Sequence, residues 1–134
     1  MNDNIEIRIK KFLSTQDNVV FAYIFGSYIK DGSRPRDLDL AVYLKQPGKF
    51  SFADFIFSVS QVAGMDNVDV IVLNDASILL QFEIIQTGKL VFSRDERERI
   101  KYETKISSLY YDRKYYYDRH VKESLDRIAR RGLE

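Results

Sequence analysis

The chain has no cysteine and no tryptophan, only two prolines, and a single histidine, His120, among its 134 residues. Without thiols there is no disulfide framework, no thiolate nucleophile and no sulfur ligand for a metal. A reducing compartment is the weak expectation. Long apolar runs are missing too. Charges at Asp3, Glu6, Arg8, Lys10 and Lys11 break up the first segment, so neither a signal peptide nor a membrane span is expected, and the cytoplasm is the default location. Nor does one sign of charge dominate: the net charge is +1, divided as −2 over residues 1–92 and +3 over 93–134. That balance is too even for an autonomous nucleic-acid binder. His120 has no cysteine or second histidine beside it, and packing or an interface is its expected role.

Apolar residues make up 45% of the chain and charged residues 31%, the composition of an ordinary globular domain. The length predicts a single domain over 1–134, with a core of about 15–92 and a helical extension of about 94–130. Any large substrate would have to be gripped by a partner or by a second copy, so homo-oligomerisation stays open.

Spacing predicts a short amphipathic helix over Ile5 to Leu13 and strands over Val19 to Phe25, Leu38 to Leu44 and Val68 to Leu73. A helix is expected over Phe50 to Val62. Another is expected over Ile78 to Ile85, capped by Asn74 or Asp75 and stopped at Gly88. Leu90 to Phe92 reads as a short strand. Ser93 and Glu96 then have capping-box spacing ahead of a long helix running through Ile128. Along it Tyr102, Ile106, Leu109, Tyr116, Val121, Leu125 and Ile128 form a stripe. Tyr110, Tyr111, Tyr115 and Tyr117 add aromatic surface that either meets another chain or covers a neighbouring loop. The predicted class is α/β (α+β), a small mixed sheet flanked by helices with a long C-terminal helix. Strand order is not legible from the sequence.

Aspartates sit inside two of the apolar runs. Asp37 and Asp39 alternate with Leu38 and Leu40, which sends both acids to one face, and Asp69 lies between Val68 and Val70 on the next strand. Where these strands are neighbours, three carboxylates converge, and crowded anions of this kind favour a divalent cation. Oxygen-only ligands suit magnesium or manganese, and a metal pair could bridge a nucleoside triphosphate and an attacking hydroxyl. Ahead of the acids, Gly26 permits an abrupt turn and Ser27 offers a backbone N–H and hydroxyl to phosphate. Lys30, Arg34 and Arg36 add positive charge beside this anion site, where either phosphate or Asp31 could engage them.

Taken together, Gly26, Ser27, Asp37, Asp39 and Asp69 resemble the polymerase-beta-like nucleotidyltransferase superfamily. Its signature is Gly-Ser, a variable loop, Asp-hydrophobic-Asp, and a third acid on a later strand. Over its whole length the chain is similar to the minimal nucleotidyltransferases that act as antitoxins to HEPN-domain ribonuclease toxins, better characterised members of which transfer AMP from ATP to a toxin tyrosine. The resemblance implies a nucleotidyltransferase-type sheet, triphosphate contact at Ser27, metal binding by Asp37 and Asp39, and metal binding with acceptor activation by Asp69. It further implies two Mg2+ ions, ATP as substrate and a HEPN-domain toxin as partner. Three departures stand out: Lys30 occupies the usual arginine position, Asp31 the glycine position after it, and Arg36 stands where a serine commonly precedes the first acid. Lysine keeps the charge but loses the bidentate fork.

Two other functions compete with this one. The chain could neutralise its partner by occlusion without catalysis, or transfer a nucleotide to RNA or a small molecule.

Overall fold

The two runs richest in β-branched and aromatic residues form the centre of the sheet. A computed structural model of the chain describes residues 2–26 and 37–132. In it, β1 (Val19–Phe25) and β2 (Leu38–Leu44) lie side by side, flanked by β3 (Val68–Val72) and β4 (Lys89–Ser93), in the order β3-β2-β1-β4. Pairing is antiparallel for β1 with β2 and for β1 with β4, and parallel for β2 with β3. A parallel pair needs a crossover, which is supplied by α2 (Phe52–Ala63). Gly64 ends that helix in the left-handed conformation at φ +67°.

Alternation along the strands divides the core in two. On one face Ile24, Leu38, Leu40, Val42, Val68 and Val70 pack with Ile9 and Leu13 of α1 (Asn2–Ser14) and with Phe55 and Val59 of α2. On the other, Phe21, Tyr23 and Ala41 pack with Ile84 of α3 (Ile78–Thr87) and with Tyr102 and Ile106 of α4 (Glu96–Gly132). Aromatic contacts fill this second layer: Phe21 stacks on Tyr43 at 4.8 Å, and Tyr102 lies 5.0 Å from Tyr43. Polar bonds pin α4 in place. Tyr102 donates to Gln81 at 2.6 Å, and Tyr23 donates to Glu103 at 2.5 Å. Burial, then the bond to Glu103, pushes the Tyr23 hydroxyl far above the usual phenol range.

Both predicted caps are corrected. The N-cap of α3 is Ser77, whose side chain accepts from Leu80 N–H. Asn74 is already committed, bonding both the N–H and the carbonyl of Leu44, and Asp75 closes a 3-10 turn over Leu73–Asp75. At the start of α4, Ser93 belongs to β4, and Asp95 accepts from Glu98 N–H at 3.2 Å. The aspartate two residues on therefore does what Ser93 was expected to do. The helical turn expected from Ser27 lies outside the described residues.

Among the described residues, no helix is long and apolar enough to cross a membrane.

Candidate functional site

β2 places Asp39 between Leu38 and Leu40, both fully buried against α1 and α2. Alternation therefore turns Asp39 toward the opposite face, the one that carries Ala41 and Tyr43. The same logic applies on β3, where buried Val68 and Val70 send Asp69 the other way. Asp39 and Asp69 are direct partners in the parallel ladder, and partners in register share a face. Asp37 sits exposed immediately before β2.

The electrostatics follow from this crowding. Asp39 is half-buried, and its carboxyl is held above the ordinary value, first by lost solvation, then by Asp69, then by Asp37. Both of the other predicted acids thus act on Asp39. Among the described residues, however, no group of three or more acidic, histidine or cysteine side chains is drawn together closely enough to hold a metal ion.

Gly26 stands against this pair. It follows Phe25, which is the ladder partner of Asp39, and it has φ +80°. A Cβ built there would overlap Asp39 Oδ2 and come within 3.2 Å of its carboxyl carbon. Glycine is required twice over, by the backbone angle and by the closeness of the acid. Ser27, Lys30, Arg34 and Arg36 lie outside the described residues.

One neighbour was not anticipated from the sequence. A cavity of about 170 Å³ opens beside Gly26, lined by Phe25, Leu80, Glu83, Ile84 and Thr87. Next to it Gly88, the C-cap of α3, closes onto the end of β1: a Cβ at Gly88 would lie 2.6 Å from the Ile84 carbonyl and 3.2 Å from the Ile24 carbonyl. Local periodicity carries no signal for such a long-range approach. His120, by contrast, lies on the exposed part of α4 in edge contact with Tyr116 at 4.1 Å.

The family described as polymerase beta, nucleotidyltransferase, matches residues 8–97, and the chain belongs to it. Among solved structures, a chain of a toxin–antitoxin complex with AMP-PNP matches at 20% identity and TM-score 0.71, covering 90% of this chain and 98% of that one. A chain of the tri-AMPylated Shewanella oneidensis HEPN toxin in complex with MNT antitoxin matches at 20% identity and TM-score 0.71, covering 93% and 99%. The MntA-HepT toxin–antitoxin complex supplies another match, at 18% identity and TM-score 0.67, covering 90% and 97%. At these identities the likeness establishes a shared fold. Comparison with curated proteins found no match.

Proposed function

We propose that the chain is the antitoxin of a HEPN-domain toxin and transfers AMP from ATP to a hydroxyl of that partner, a tyrosine being the acceptor. The observation that carries this reading is the in-register pair Asp39 and Asp69 beside the turn at Gly26. The acceptor oxygen attacks the α-phosphorus. A new O–P bond forms, the bond to the bridging oxygen breaks, pyrophosphate leaves, and the hydroxyl proton passes to Asp69. The chain's own work is alignment and charge placement rather than nucleophilic attack.

The donor chemistry suits hard divalent ions: oxygen ligands only, with Asp39 destabilised as an anion first by lost solvation and then by Asp69 and Asp37. Asp37, Asp39 and Asp69 would hold two Mg2+ ions only with their side chains drawn closer together than they stand here. When bound, these would neutralise triphosphate charge and lower the proton affinity of the acceptor hydroxyl. Ser27 would contact the triphosphate, with Lys30, Arg34 and Arg36 supplying positive charge.

The test is intact-mass measurement of the HEPN partner after incubation with this protein, ATP and magnesium. A gain of one or several AMP units is expected, and it should disappear when Asp37→Asn and Asp39→Asn are combined. Wild-type transfer by that double variant would sink the mechanism.

A second reading, neutralisation by occlusion, draws on the outer half of α4, where Tyr115, Tyr116, Tyr117, Leu125 and Ile128 are exposed. Full inhibition of the toxin in buffer free of ATP and metal would favour it; ATP-dependent inhibition would count against it.

A further inference from the structure

The cavity beside Gly26 and the carboxylate pair share a wall. Phe25 and Gly26 line the cavity, while Phe25 pairs with Asp39 in the ladder and Gly26 packs directly on the Asp39 carboxylate. A ligand whose charged end lies at the acids therefore meets this cavity across Gly26, where the Asp39 carboxylate, and no side chain of residue 26, fills the space. At about 170 Å³, the space falls below the roughly 300–1,000 Å³ that encloses a whole drug-sized ligand. It suits one ring system, with the remainder of the ligand outside.

The lining specifies what that ring system is. Phe25, Leu80 and Ile84 offer an aromatic and two aliphatic walls, which favour a flat, uncharged group. Glu83 is exposed at the same cavity. A carboxylate repels phosphate and only accepts hydrogen bonds, so the entering group must be a donor. Thr87 donates its hydroxyl proton to the Glu83 backbone carbonyl at 2.8 Å, which leaves its oxygen as an acceptor too. A nucleobase with an exocyclic amine meets each of these demands.

We propose that the base of the nucleotide enters this cavity and that Glu83 accepts a hydrogen bond from its exocyclic amine, so that Glu83 selects amino-bearing bases; this rests on the nucleotidyl-transfer reading above. Replacing the amine by a carbonyl, as in ITP, turns an acceptor toward the carboxylate and leaves that contact repulsive.

The experiment measures equilibrium affinity of the full chain, with magnesium, for ATP, ITP and inorganic tripolyphosphate, in the wild type, Glu83→Gln and Leu80→Trp. ATP should bind wild type about ten- to a hundredfold more tightly than ITP, the range for a hydrogen bond to a charged group. Glu83→Gln should bring the ATP to ITP ratio close to one. Leu80→Trp fills the cavity and should bring ATP affinity down to that of tripolyphosphate. If ATP keeps its full advantage over tripolyphosphate in Leu80→Trp, or over ITP in Glu83→Gln, the inference is overturned while the transfer reading stands. If neither ATP nor tripolyphosphate binds wild type, the transfer reading falls and takes the inference with it. Should Leu80→Trp fail to fold, the exposed position of Glu83 keeps its arm decisive.

Discussion

The two halves of α4 are written in the same alphabet and meet different fates. In the first, Tyr102 and Ile106 are buried, and Tyr110 stacks on Phe82 at 3.8 Å. In the second, Tyr117, Val121 and Ile128 continue on the same side of the helix at helical spacing, yet are 68%, 39% and 63% exposed. Side-chain chemistry alone does not decide burial. What differs is the opposing surface, since α3 ends at Thr87 and no described element of this chain lies against the later stripe. The packed half holds the domain together; the projecting half offers an apolar ridge to something else.

Four substitutions would break or sharpen this contrast. Ile106→Ala should cost about 2–5 kcal/mol, as a buried aliphatic truncation does, read by denaturant unfolding. Tyr102→Phe leaves Gln81 Oε1 without its donor inside the same layer, and should cost about 1–3 kcal/mol by the same measurement. Asp39→Asn has the opposite sign. Its carboxyl is held above the ordinary value of 3.8 in the folded chain, so the native state favours the protonated form. Its contribution to stability is greatest below the unfolded value and is lost as pH rises toward the raised folded one. At neutral pH the variant should therefore melt at a higher temperature than wild type while losing transfer activity, and a lower melting temperature would refute the cost of the buried, crowded anion. Ile128→Ala, on the projecting half, should change stability by no more than about 0.5 kcal/mol. A loss as large as that of Ile106→Ala would show that the outer stripe is packed after all.

Asp39→Asn belongs in this series because the acid pair and the outer helix have something in common. Each is a place where the chain leaves its own requirements unmet, by a half-buried carboxylate crowded by like charge in one case and by uncovered apolar surface in the other. Such sites are where activity and stability are expected to trade against each other.

Much of this was legible in advance because its cause is local. The strands Val19–Phe25 and Leu38–Leu44 fall on the residues expected, since each is a β-branched or aromatic run bounded by turn residues. The parity that turns Asp39 and Asp69 away from the core was equally readable, given leucine and valine neighbours. That they stand opposite one another in a parallel ladder was not, because it depends on α2 carrying the chain across. The capping errors have the same origin. Asn74 is a good N-cap by composition, but bonding to Leu44, 30 residues away in sequence, takes its side chain first. The place of Glu83 beside Phe25 was not legible either, because it depends on how α3 folds back onto the end of β1.

β3 has a consequence for handling the protein. It is an outermost strand of the sheet, its sequence Val-Asp-Val-Ile-Val is apolar but for Asp69, and a flat apolar border strand readily recruits another chain. The exposed carboxylate there also acts as a guard against fibre-like stacking. Neutralising Asp69 would remove that guard together with the acid, so sample dispersity has to be followed alongside turnover before any loss is assigned to chemistry.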